Sequence, residues 1–301
     1  MTADGIADLL AAGERAAFHG RPGAGVDPLR RATELAAADG LVAEASAATW
    51  LLGVCLSSAG RYGGALDVLA PLVTESATAE SRMLGALAAA TTASVHRQLG
   101  RHDVAQGYDE TALVGSGGAG EAAFDANLGL ASDAVGLGQS EVAEAHLAAA
   151  AALAADHQGW WRQRVRLGWV RCEVALLAGD PEAALGPVQE SVDLAEQSGA
   201  PRHVAKGLLF HGVALVEAGR PDEAAAVLRR AGLLAESLGT LPLLWPVRAV
   251  LGALLAADSP EESAQALESA RRAAAAIAED LPEPLRAGWL GRADVEALLT
   301  G

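Results

Sequence analysis

The residues best suited to chemistry are seven histidines, two cysteines, scattered carboxylates and one arginine- and tryptophan-rich stretch, WWRQRVRLGWV from Trp160 to Val170. The histidines are dispersed: His96 and His211 fall within one set of helices, His102, His146 and His157 in or after another, and His203 at a helix start. No HExxH and no paired Cys–His spacing exists, so no metal site is expected. Cys55 and Cys172 lie far apart in helical patterns and read as small buried hydrophobes rather than a disulfide. GxSxG is absent, and Gly115-Ser116-Gly117-Gly118 follows a helix rather than a strand, so it forms neither a nucleophile elbow nor a phosphate loop. Acid–base work would fall to Asp125 and Glu173, whose carboxyls would have raised pKa values inside a tryptophan-lined pocket. The central stretch, with Arg162, Arg164, Arg166 and Arg171, is the densest positive cluster. It reads either as a solvated cationic flank or as a patch in which arginines hold an anion while Trp169 stacks on its apolar body.

Helices must position these groups. Half of the 301 residues are apolar but only 4% are aromatic, and Ala and Leu dominate over the β-formers. A helix-ending turn recurs at Gly20, Gly60, Gly100, Gly138, Gly179 and Gly219, and at Asp258, spaced 38 to 41 residues apart. Glycine there supplies the positive φ that a tight helix–helix connection needs. Pro181, Pro221 and Pro260 follow two residues later, at the first turn of the next helix, with an acidic residue after each. Seven residues before the turn stand Gly13, Gly53, Ala93, Ala131, Cys172 and Gly212, where packed helices approach closely. After it, Ala65, Ala105, Ala143, Ala184 and Ala224, then Leu29, Leu69, Leu147, Val188, Leu228 and Leu267, then Ala32, Ala112, Ala150, Ala231 and Ala270 form an apolar stripe at helical spacing.

Small residue, tight Gly turn, then Ala, large apolar and Ala resembles the tetratricopeptide repeat (TPR), as in LFHGVALVEAGRPDEAAAVLRRA from Leu209 to Ala231. The match runs from residue 5 to 278. Its period of about 40 resembles the longer-helix variant in the sensor regions of bacterial transcription activators of the MalT type. The stretch LPEPLRAGWLGRADVEALL resembles the tails of such regulators. No Walker motif or basic recognition helix accompanies it, so the resemblance extends to the binding platform alone. It implies an all-α fold: a right-handed α-solenoid of about seven TPR-like hairpins over residues 1–281, closed by a C-terminal capping helix over 282–301. The first and last repeats deviate as solenoid ends do, and GSGGAG from Gly115 to Gly120 reads as a loose turn.

In such arrays the first helix of each hairpin lines the concave face. Counting 13, 10, 6, 3 and 2 residues back from each turn gives Trp50, Arg97, Gln98, Arg166, Trp169, Lys206, Trp245 and Arg248 as candidate binding residues, with Asp125, Glu173 and Glu217 on the same face. Basic residues beside aromatics suit a ligand with carboxylates and apolar groups. Peptide-binding members of the family clamp carboxylates with basic groove residues, although their particular Lys/Asn pattern is missing here. The expectation is a non-catalytic module binding a protein segment or peptide along the groove. The alternative is a small-molecule sensor or biosynthetic accessory protein, or an enzyme using Asp125 or Glu173, with an enclosed pocket. No cofactor is expected. A net charge of −16 opposes nucleic acid and anionic membranes, and the single lysine against 21 arginines reflects GC-rich coding. MTADGIADLL is not a basic leader followed by an apolar core, and the expected location is cytoplasmic. Oligomeric state is left open.

Overall fold

The structure, a computed structural model, describes residues 3–74 and 79–301, with side chains from Gly5 to Thr74 and from Arg82 onward. Helices follow one another with no strand among the described residues. They pair as seven hairpins: α1 (Ala3–His19) with α2 (Val26–Ala38), α3 (Val42–Ala59) with α4 (Tyr62–Thr74), α5 (Ala79–Gln98) with α6 (His102–Gly115), α7 (Gly120–Gly136) with α8 (Ser140–Ala155), α9 (Trp161–Leu177) with α10 (Pro181–Gln197), α11 (Pro201–Glu217) with α12 (Pro221–Leu238), and α13 (Leu241–Leu255) with α14 (Pro260–Asp280). The fold is an all-α solenoid.

The turns work as their glycines require. Gly60, Gly100, Gly138, Gly179 and Gly219 have φ between 69° and 88°. The next residue of each turn, from Arg61 to Arg220, returns its N–H to a carbonyl five positions back, at 2.8–3.0 Å. That is the hydrogen bond that closes a helix on a left-handed residue. Gly20 departs from the expectation: its φ is not positive, and a 3-10 turn over Pro22–Gly25 carries the chain into α2. Gly40, Gly199 and Gly239 end second helices in the same left-handed conformation.

Within a hairpin the small residue before the turn faces the large one after it. A Cβ at Gly13, Gly53 or Gly212 would lie 2.3, 2.5 and 2.6 Å from Leu29, Leu69 and Leu228, so each leucine fills the place of a missing side chain. Ala65, Ala105, Ala143, Ala184 and Ala224 are fully buried beside them.

The solenoid curls until its ends meet. α13 touches α3, α14 touches α4, and α11 touches α1. Thr240 Oγ1 donates to the Ser58 carbonyl at 2.7 Å, and the Gly64 N–H donates to the Asp280 carboxylate at 3.1 Å. One apolar cluster joins Leu29, Leu56 and Tyr62 to Ala274, Ile277 and Trp289. The accessible surface, 12861 Å², is close to the roughly 11,800 Å² of a compact monomer of this mass. The last 20 residues, expected as one capping helix, form two short ones, α15 (Glu283–Leu290) and α16 (Ala293–Thr300). Extended backbone at Arg292 (φ −69°, ψ 127°) breaks them apart and sends the guanidinium inward over Trp245 and Trp289. Among the described residues, α3 is the one helix long and apolar enough to cross a membrane; here it packs between α2, α4, α5 and α13 with eight residues buried.

Candidate ligand-binding cavity

Curling places a cavity of about 350 Å³ on the inner side of the first helices. Every hairpin contributes: Phe18 from α1, Trp50 from α3, Arg97 from α5, Asp125 from α7, Trp169 from α9, Lys206 from α11 and Trp245 from α13. Gln98, Arg166 and Glu173 line it too, so seven of the eight candidate binding residues and both candidate carboxylates line the same cavity. Arg248 is the exception. Its guanidinium turns away onto α12, over Gly232, where the absent side chain leaves room, and pairs with Glu236 at 3.0 Å. Of the central arginines, Arg162 and Arg166 face the cavity, whereas Arg164 and Arg171 are exposed on an outer groove of about 730 Å³ between α8, α9 and α10.

Most of the charges are already matched. Arg97 bonds Asp133 at 2.8 Å through both Nε and Nη2 and also holds Asp109; His102 Nδ1 lies 3.0 Å from Asp133. Burial would lower the Arg97 pKa, but these two carboxylates hold it above its usual value. Asp109 stands where the other repeats carry a large apolar residue, and burial raises its pKa well above the usual carboxylate range against the pull of Arg97. Gly129 makes room for this cluster, since a Cβ there would sit 2.1 Å from Asp109 Oδ2. Arg166 bonds Asp125, and Arg162 reaches Glu121 at 3.2 Å and Asp125 at 3.8 Å. Glu173 accepts from Ser132 at 3.1 Å; burial raises its pKa, opposed by Lys206. Cys55 and Cys172 are buried free thiols whose pKa burial pushes up to about 12.

Between α9 and α11 runs an aromatic file: Trp161 packs edge-on to His203 at 5.2 Å, His203 stacks on Trp169 at 5.6 Å, and Trp169 on Phe210 at 6.4 Å. Lys206 lies over Trp169 and Phe210 at 4.8 and 5.7 Å. Burial, with Arg202 and the other nearby cations, drives the His203 pKa well below its usual value, so the ring is neutral. Tyr62 donates to Gln98 at 2.9 Å, and Arg292 donates to the Gln98 carbonyl at 2.6 Å, closing the wall. Sequence reasoning missed Phe18, Tyr62, Arg202, His203, Phe210 and Arg292. Arg202 had a local signal, standing four residues before Lys206 on the same helix face.

Two solved structures share this fold. A Rap protein complexed with Competence and Sporulation Factor superposes over 92% of this chain and 79% of its own, with TM-score 0.67 and 12% identity. This chain has a TPR-like helical repeat fold. Aspartyl phosphate phosphatase F from Bacillus subtilis matches the TPR-like solenoid over 100% of this chain and 83% of its own, with TM-score 0.52 and 12% identity. A tetratricopeptide repeat protein from Parabacteroides merdae covers 99% of it at 13% identity, with TM-score 0.48. These neighbours do not show the resemblance to MalT-type sensor regions. No protein-family model matches the sequence, and no curated protein matches it significantly.

Proposed function

We propose that this TPR-like solenoid is a non-catalytic binding module that holds a compact partner, the end of a peptide or a small molecule, inside its curled array. The observation that carries the reading is the convergence of all seven first helices on one cavity with aromatic walls and cationic groups. Cavities of a few hundred Å³ with a few placed polar groups are the usual form of small-ligand sites. Contacts of α11 with α1 and of α13 with α3 bring the two ends of the array together around the cavity, which favours a compact occupant or a chain end over a long segment lying across the repeats. The Rap protein of similar fold was solved with a bound factor. Catalysis is disfavoured because Asp125 is taken up by two guanidiniums and Glu173 already accepts a hydrogen bond from Ser132. A cytoplasmic setting accompanies this reading.

Native mass spectrometry of the gently purified protein tests it, comparing wild type with Ser94→Trp. Ser94 lines the cavity and makes no side-chain hydrogen bond among the described residues, so the indole fills space without breaking a hydrogen bond. A defined adduct on wild type that is lost from the variant, at unchanged helical circular dichroism, is expected. An adduct retained by the variant would move binding to another surface.

A further inference from the structure

We infer that the cavity contains an anion subsite, formed by Arg202 and Lys206 of α11 and flanked by Arg162 and Arg166 of α9, which takes the carboxylate or phosphate of a ligand with an apolar body. This rests on the cavity being the binding site. Six cationic side chains line it: Arg97, Arg162, Arg166, Arg202, Lys206 and Arg292. Four have carboxylate partners, namely Asp109 and Asp133, Glu121 and Asp125, Asp125 again, and Asp294. Among the described residues Arg202 and Lys206 have none within 4 Å.

Their surroundings make that unusual. Arg202 Nε is buried without a hydrogen-bond partner. Lys206 rests on two aromatic faces. Desolvating a charge with no counter-charge is costly, and a chain of net charge −16 has carboxylates to spare. Spaced four apart on one helix, the two cations project from the same face, one turn apart. Around Arg202 the protein supplies more positive charge instead of compensation, and Lys206 has only the longer-range pull of Glu173, with which it forms no ion pair within 4 Å. Burial, then Arg166 and Arg162, lower Arg202 to about 10, and burial lowers Lys206 to about 8 despite Glu173. The neutral His203 ring sits beside them. An incoming anion is the missing counter-charge, and guanidinium and ammonium groups lining one cavity suit a carboxylate or phosphate. Trp169 and Phe210, already beneath Lys206, place apolar surface next to that point.

Thermal unfolding at fixed ionic strength with phenylacetate, phenyl phosphate and the neutral phenylacetamide tests the subsite. At a hundredfold excess over Kd, an anion should raise the wild-type Tm by about 4 °C, with the amide giving much less. Whichever anion shifts Tm further at equal concentration identifies the group as carboxylate or phosphate. In R202Q/K206Q the anion's shift should fall to that of the amide. Without probe, R202Q should melt no lower than wild type, because it removes an unpaired charge. Equal shifts by anion and amide on wild type would overturn the subsite and leave the cavity reading standing. An anion shift that survives in the double variant, or a lowered Tm for R202Q alone, would overturn the subsite as well. No shift from any probe would overturn the subsite and the cavity reading together.

Discussion

Lys206 sits where its charge works against folding. Burial depresses its pKa from 10.5 to about 8. A lysine depressed in the folded state contributes stability above its unfolded pKa and loses it as pH falls through the folded one. The wild type should therefore gain stability relative to Lys206→Met as pH rises from about 8 to 10.5, by about 2 kcal/mol after allowing for partial exposure. Urea unfolding of both proteins at pH 7 and pH 10 measures this, and a difference that stays flat with pH would mean the ammonium is solvated. A second test concerns the buried ion cluster on the same wall. Gly129→Ala would push a methyl to 2.1 Å from Asp109 Oδ2 and 2.7 Å from Arg97 Nη2. Parting that cluster should destabilise by about 3 kcal/mol, read from the denaturation midpoint. At this scale the sequence was legible where a residue type broke the repeat's pattern in the counted window, as at Trp50, Arg166 and Trp169. Arg202 lay outside that window, nearer the start of its helix. Arg248 lay inside it and still turned away, because the outcome depended on a glycine and a glutamate of a neighbouring helix.

Elements were the most legible scale, since a hairpin is specified locally. Turn glycine, small residue and opposing leucine all lie within one repeat, and each has a steric reason visible in the spacing. The second set of glycines at 40, 199 and 239 escaped because it recurs in only some repeats. Two turns of the same geometry separate local from distant demands. At Gly219, φ is 69° and a Cβ would meet nothing within 4 Å, so Gly219→Ala should cost only the left-handed penalty, about 1 kcal/mol. At Gly60, φ is 88° and a Cβ would come within 3.0 Å of Leu241 Cβ and 3.2 Å of Ile277. Gly60→Ala should cost about 2 kcal/mol or more, because it also presses on the helices that close the ring. Equal midpoints for the two variants in chemical denaturation would show that the closing contact at Gly60 yields freely.

The closure itself had no sequence signal. Thr240 meets Ser58 and Asp280 meets Gly64 across separations of 182 and 216 residues, and neither pair belongs to any periodicity. Closure is nonetheless what turns a concave face into a cavity, and the last two short helices hold it from one side: Trp289, Val295 and Leu298 are buried in the cluster that joins the ends, while Arg292 bonds the Gln98 carbonyl. In a solenoid each repeat depends chiefly on its neighbours, so damage at a junction should stay there. Removing residues 282–301 should therefore speed amide exchange in α13, α14, α3 and α4, while α7 to α10, which form no substantial interface with the removed segment, keep their protection. Hydrogen-exchange mass spectrometry of the full chain and the truncated one reads this helix by helix. Even loss across all helices would mean the molecule folds as one cooperative ring, and unchanged α3 and α13 would mean the ends hold together without the C-terminal pair.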